Sequence, residues 1–351
     1  MNFDYNEEQQ LLADSVRRFL QKDYDFEKRR QILASPQGAS DQVWATLAEM
    51  GLTGLPLSTD YGGFGGGAVD LMSVMEAFGE ALVVEPYMPT LLGALLVAKG
   101  GSDAQKQAIL PAVAEGRMKL AFAHTEAGAR FDLTHVKATL EKGEKKAVIG
   151  APLADKLVVS TQAGLHLVNT KDAEIKAHRT IDDRAAGDVI LAKAKGERLQ
   201  GGQELIEEVI DFAAALACAE AVGAMKYACD STLEYLKTRK QFGVPIGTFQ
   251  ALQHRIVDMY IAQEQARSMA CLACSKVDSS DNQTDRKKAV SAAKIKIADA
   301  CRHVSQEAIQ LHGGMGMSEE LKVSHTFRRL TMIGQQFGDA DHHLARFAAL
   351  G

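Results

Sequence analysis

Arg239, Gln241 and Phe242 place a guanidinium, an amide and an aromatic ring side by side in the run Arg239-Lys240-Gln241-Phe242-Gly243-Val244-Pro245-Ile246-Gly247-Thr248-Phe249-Gln250-Ala251-Leu252-Gln253. An arginine fork next to an apolar plug suits an anionic, partly flat ligand such as a dinucleotide pyrophosphate. The plainer reading is a solvated helix end with one buried Phe. A second string, Ala308-Ile309-Gln310-Leu311-His312-Gly313-Gly314-Met315-Gly316-Met317, closes a long helical stretch in glycines, which is also an ordinary helix stop. Near the C-terminus, Asp339 precedes Asp341 and His342, whose amides it could cap.

These residues need elements to hold them. Upstream of Arg239, Phe212, Leu216, Ala219, Val222, Met225, Cys229, Leu233 and Leu236 recur every three or four residues, which predicts one continuous helix. Gly243, Pro245 and Gly247 break it, and Ile256, Met259, Tyr260 and Leu272 restart a helical stripe. At the other end, Asn6-Glu7-Glu8-Gln9 reads as a capping box opening a first helix. Further helices are expected over Phe26–Ala34, Asp41–Met50, Pro89–Ala98 and Ser102–Glu115, with glycine-rich loops at 51–56 and 61–67. The loop at 61–67 follows no strand pattern and has no Gly-Lys-Ser/Thr, so it is weak as a nucleotide loop. Beyond Arg117, short segments at Leu120–Ala123, Val136–Leu140, Lys146–Ile149, Lys156–Ser160, Leu165–Val168 and Asp188–Leu191 read as a small antiparallel β domain. The expected organisation is a helical domain over 1–117, a β domain over 118–200 and a helical domain over 201–351.

Composition narrows the classes. The chain has 351 residues, 46% of them hydrophobic, enough for two or three packed subdomains, and only 7 Pro, which fits a mostly helical protein. A formal charge of -5 gives no general drive toward nucleic acid or anionic membranes. The first residues carry no signal-peptide pattern and no apolar run reaches spanning length, so a cytoplasmic protein is expected. The five cysteines lack the spacings of a zinc site or disulfide scaffold, and Cys271-x-x-Cys274 reads as a buried pair in a helix.

The Arg239–Gln253 run resembles the Arg-x-x-Phe-Gly-x-Pro-Ile-x-x-Phe-Gln-x-x-Gln signature of the acyl-CoA dehydrogenase family. Ala308–Met317 is similar to its Gln-x-x-Gly-Gly-x-Gly string, and Ala121–Ala129 to its Thr-Glu-Pro-x-Ala-Gly-Ser-Asp loop. The order of helices, strands and helices agrees over nearly the whole chain, with a strand section shorter than the family norm. The resemblance implies an N-terminal helical domain, a middle antiparallel β domain, a C-terminal four-helix bundle, and FAD as cofactor. It gives Thr125 a flavin contact, places Gln310, Gly313 and Gly314 along the adenosine part, and sends Arg239, Gln241 and Phe242 to the FAD of a neighbouring subunit. Asp341 and His343 join the implied cofactor contacts. Arg130 and Phe131 depart from the pattern, standing where Gly and Ser are usual, and the Trp-x-Thr that lies against the flavin in many members is missing.

The chemistry implied is α,β-desaturation of an acyl-CoA, with a carboxylate taking the α proton while the β hydrogen leaves as hydride to flavin N5. Such a base is a desolvated carboxylate of raised pKa, and donors must hold the thioester carbonyl as enolate charge develops. The family places its Glu at one of two positions. At the first this chain has Ala213 and Ala214; Asp211 and Glu220 lie out of register and read as surface or helix-contact charges. At the second, ungapped counting gives Phe337, and a two-residue insertion gives Asp339, the candidate base. The chain looks most like the short, diverged small subunits of bacterial acyl-CoA dehydrogenases, which often pair with a related chain. The implied partners are an acyl-CoA, an electron-transfer flavoprotein-like acceptor, and a homo- or heterotetramer. The alternative is a non-catalytic subunit that completes a partner's FAD site.

Overall fold

Asn6 opens helix α1 (Glu7–Asp23) with the expected capping box: its side chain accepts from Gln9 N at 2.9 Å and Gln9 Oε1 accepts from Asn6 N at 2.9 Å. The computed structural model describes residues 6–279 and 282–351. It divides into two compact units. One comprises the described residues up to Lys28, Ala68–Val83 and Ala214–Gly351; the other comprises Arg29–Gly67 and Val84–Ala213.

The second unit carries α2 (Phe26–Ala34) from Arg29 onward, then α3 (Asp41–Glu49), α5 (Tyr87–Gly100), α6 (Asp103–Ala114) and the strands. Two anchors tie its helices to loops: Tyr87 Oη donates to Leu52 O at 2.9 Å and Trp44 Nε1 to Gly116 O at 2.7 Å. One sheet has the order β1 (Leu120–Ala123), β3 (Lys156–Thr161), β4 (Gly164–Asn169), β7 (Gly196–Arg198), with β1 parallel to β3. The other is β2 (Lys142–Ile149), β6 (Ala185–Ala192), β5 (Glu174–Arg179), all antiparallel. Ala121, Ala123, Leu157, Val159, Val148 and Val189, drawn from both sheets, close a shared core. Three sequence expectations change here. The β stretch is not wholly antiparallel. Val136–Leu140 forms no strand, because the Lys137 and Ala138 amides donate to the Glu126 carboxylate rather than to a neighbouring strand. Strand β5, with an exposed and mostly charged surface, carries no alternation that sequence could reveal.

In the first unit, α7 (Gln203–Thr238), α8 (Gln250–Ser279), α9 (Gln283–His312) and α10 (Lys322–Gln335) pack as a helical bundle, followed by α11 (Ala340–Ala349); the division between units falls within α7. From Ala213 to Met225 every residue of α7 is buried, so this part is a core helix rather than the one-faced helix its apolar period predicts. α4 (Ala68–Ala81) crosses α7 at glycines: a Cβ on Gly79 would lie 1.9 Å from Glu220 O, and one on Gly223 1.8 Å from Glu76 O. Asp278 at the end of α8 accepts from Ala68 N at 2.7 Å and Val69 N at 2.8 Å, and so caps α4 from another helix. All five cysteines are free, and Cys274 is buried against α7. Among the described residues no helix is long and apolar enough to cross a membrane.

Candidate cofactor and catalytic site

α7 ends at Thr238 and turns into a two-stranded hairpin, β8 (Lys240–Gln241) with β9 (Val244–Pro245). Its connecting residues, Phe242 and Gly243, have φ of 55° and 82°, the double positive φ that a tight hairpin turn of the right twist requires. Phe242 is thereby pushed outward to 92% exposure, its ring edge-to-face with Phe249 at 6.2 Å between centroids. The reading of this run as a helix end with a buried Phe is therefore excluded. Arg239, Gln241 and Gln310 are exposed, and their side chains make no hydrogen bond or ion pair with the described residues.

The Gly-rich string sits at the C-terminal end of α9. Gly313 takes φ 60°, ψ -146°, and its N–H donates to Gln310 O. A Cβ on Gly313 or Gly314 would meet nothing within 4 Å, whereas one on Gly316 would meet Ile309 O at 2.8 Å. Only the third glycine is thus demanded by packing; the first two leave open backbone. Tyr235, one turn before Arg239, stacks on His312 with centroids 4.5 Å apart, which brings the hairpin and the Gly-rich string to the same end of this unit.

Asp339 lies elsewhere. It is the N-cap of α11, with Oδ1 accepting from His342 N at 2.8 Å. The turn that carries it is fixed from below. Lys294, fully buried on α9, donates from Nζ to Ile333 O at 2.8 Å and Gln336 O at 2.7 Å, placing an ammonium at the negative end of α10. Phe337 has φ 61° and Gly338 φ 115°, and a Cβ on Gly338 would lie 2.5 Å from His343 Nε2. His343, 2% exposed, holds Phe337 O from Nε2 at 3.0 Å and meets Ser291 Oγ at Nδ1 at 3.3 Å. With both nitrogens engaged inside the unit, His343 supports this turn and has no surface to offer a cofactor; Asp341, by contrast, is exposed on the first turn of α11. From Lys294 to His312 the helix α9 runs unbroken, roughly 27 Å at 1.5 Å per residue. The Asp339 turn, packed at Ser291 and Lys294, and the Arg239–Gly313 group therefore stand roughly 27 Å apart along α9.

The charges near the missing first base position are not on the surface. Asp211 is 1% and Glu220 0% exposed, and Glu220 forms a two-pronged ion pair with Arg329 of α10 at 2.8 and 2.6 Å. Glu220 is thus a helix-contact charge and is not available as a base.

In the second unit Thr125 is exposed at the end of β1, and its carbonyl accepts from Lys146 N at 2.7 Å. Gly128 has φ 82° with nothing near its Cβ direction, and Arg130 adopts φ 48°, so Arg130 takes the left-handed backbone that a glycine would more readily supply. Beneath the loop lies a buried polar cluster that sequence reading missed: His124, Glu126, Lys145 and Ser160. Lys145 reaches the interior because β2 carries a bulge between Lys145 and Val148, so both face inward. Burial works to raise the Glu126 carboxyl, but Lys145 and the Ala138 and Lys137 amides outweigh it and hold Glu126 low. Burial, helped by the Lys145 charge, lowers His124 to about 4; burial, helped by Lys294, lowers His343 to about 3.

Both imidazoles are neutral in the folded chain, whereas free histidine protonates near pH 6.5. Between these values the unfolded chain binds more protons, so folding stability falls as pH drops from about 6.5 through about 4 for His124 and on toward 3 for His343. The expected loss from His124 alone is about 3 kcal/mol. Urea unfolding at pH 7, 5.5 and 4 measures it, and a flat stability across that window contradicts the assignment.

Residues 6–117 match the family model for the acyl-CoA dehydrogenase N-terminal domain and residues 200–348 that for the C-terminal domain. The chain belongs to the acyl-CoA dehydrogenase family. That family is FAD-dependent. Among its relatives, acyl-CoA dehydrogenase IpdE2 of Mycolicibacterium smegmatis is 28% identical over 345 residues, covering 98% of this chain and 99% of its own. Among solved structures, the Tcur3481-Tcur3483 steroid ACAD G363A variant superposes with a TM-score of 0.88 at 28% identity, covering 98% of this chain and 97% of that one. The ChsE4-ChsE5 complex from Mycobacterium tuberculosis shares the fold at a TM-score of 0.90 and 24% identity, covering 99% and 98% of the two chains. The acyl-CoA dehydrogenase fold expected from sequence is thus the fold observed.

Proposed function

We propose that this chain is a subunit of an FAD-dependent acyl-CoA dehydrogenase that desaturates an acyl-CoA thioester between Cα and Cβ. The observation that carries this is the outward-facing set at one end of α9: Arg239, Gln241 and Gln310 with side chains unengaged among the described residues, Phe242 at 92% exposure, and open backbone at Gly313 and Gly314. Donors and a flat apolar ring kept free of internal partners fit an anionic dinucleotide. These residues would hold the adenosine and pyrophosphate part of FAD, and Thr125 would meet the flavin. Bound FAD supplies the two-electron acceptor for the hydride leaving Cβ. Asp339, roughly 27 Å away along α9, would remove the Cα proton.

The separation of the two groups by roughly 27 Å along α9 favours a site shared between subunits, in which one chain's hairpin serves its neighbour's cofactor. The exposed Val257, Tyr260, Ile261, Leu344 and Phe347 of the same unit are apolar surface for such an assembly. A related chain is a suitable partner, since similar structures include two-chain assemblies. We place an electron-transferring flavoprotein as the acceptor of the electrons. A second reading, that the partner supplies the base and this chain completes the FAD site, is favoured by the use of Asp339 Oδ1 as a helix cap.

Asp339→Asn separates the two, because Asn caps a helix as well as Asp and leaves the turn intact. In the purified assembly, dye-linked oxidation is measured over fatty, dicarboxylic and steroid side-chain acyl-CoA thioesters. The expected result is a kcat lowered by about 10²–10⁴-fold with FAD content unchanged. Unchanged kcat removes Asp339 from the reaction and leaves the partner-base reading.

A further inference from the structure

Thr125 stands exposed at the end of β1; its carbonyl is held by Lys146 N at 2.7 Å, and the residues on either side of it are held from the interior. Immediately before it, the His124 carbonyl accepts from Lys145 Nζ at 3.1 Å. Immediately after it, Glu126 Oε1 accepts from the same Nζ at 2.7 Å. The third acceptor of this ammonium is Ser160 Oγ at 3.0 Å, which also meets His124 Nδ1 at 2.9 Å. Lys145 is 0% exposed, so its three donors are fully engaged by these oxygens, with no water competing. Glu126 further ties the loop to the chain beyond it through the Lys137 amide at 2.9 Å and the Ala138 amide at 3.0 Å.

We propose that Lys145 is a positioning residue for the Thr125 loop, bracketing Thr125 by its carbonyl neighbour on one side and its carboxylate neighbour on the other so that the hydroxyl is preset for the flavin. This rests on the proposed role of Thr125 as a flavin contact. A buried side chain that fixes a ligand-facing residue improves binding by removing the ordering cost at the moment of association. The bulge in β2 is part of the device, because regular alternation would turn Lys145 or Val148 out of the core.

The test uses Lys145→Met and Ser160→Ala in the full chain with its co-purifying partner. Two quantities are read: hydrogen exchange of the backbone over 120–130, and the dissociation constant for FAD with the visible spectrum of the bound flavin. Lys145→Met is expected to speed exchange over 120–130 while leaving β5 unchanged, and to weaken FAD by about 10- to 100-fold, the size of a lost charge-assisted hydrogen bond. Ser160→Ala removes one of the three acceptors of Lys145, together with the contact to His124 Nδ1, and is expected to move both readouts the same way by less; it decides the matter if Lys145→Met does not fold. Folded variants with wild-type exchange over 120–130 and wild-type FAD affinity overturn the proposal, as does exchange that rises equally in β5. A wild-type assembly that takes up no FAD counts against the proposed function instead, and the exchange measurement still settles whether Lys145 holds the loop.

Discussion

Glu220→Ala is expected to destabilise the first unit by about 3–5 kcal/mol, the usual loss when one partner of a buried ion pair is removed. Glu220 is 0% exposed and takes both prongs of Arg329, which is itself only 4% exposed. The alanine strips a carboxylate from a guanidinium that the fold keeps away from water. Replacing both partners by apolar residues of similar size, Glu220→Met with Arg329→Met, is expected to recover most of the loss, because the desolvation of both charges disappears together. Urea midpoints for the single and double variants at constant m-value provide the comparison. A single-variant loss below about 1 kcal/mol would falsify the view of this pair as a buried, mutually dependent contact.

Gly223→Ala should be comparably damaging by steric means. At the crossing of α4 and α7 the added methyl would sit 1.8 Å from Glu76 O, and the reciprocal contact from Gly79 to Glu220 O is 1.9 Å. Backbone oxygens at the centre of two helices cannot swing aside as a side-chain tip can, so the helices must separate. That places the loss at or above the upper end of the ~1–3 kcal/mol typical of overpacking. Gly314→Ala is the control, since its Cβ would meet nothing within 4 Å. The expected pattern is a large fall in Tm for Gly223→Ala and almost none for Gly314→Ala; similar melting temperatures for the two would remove the close helix crossing as the explanation.

What could be read from sequence was local, and what was lost was paired across distance. The capping box at Asn6 and Gln9 and the glycine-broken run after Arg239 are written in consecutive residues, so pattern alone located them. The hairpin within that run was missed as a hairpin because Phe242 is an uncommon residue at positive φ. Lys145 and Glu126 are 19 residues apart, and Glu220 and Arg329 are 109 apart; neither pair has a spacing that marks it. Lys145 stands beside Lys146 in the chain, and only the bulge decides which of the two goes inside. The resemblance implies a cofactor contact for His343; in the structure it is buried with Nε2 against Phe337 O, a placement that no local pattern marks. Asp339 was foreseen both as a candidate base and as a cap; the cap is observed, and the base is a matter for mutation.

The roughly 27 Å of α9 between Lys294 and His312 has a genetic consequence under the proposed shared site. If each cofactor draws its two ends from different polypeptides, a lesion in one chain's Arg239 hairpin is expressed at its neighbour's reaction centre and not at its own. After a gene duplication, each copy could then be relieved of one half of the work without loss to the pair.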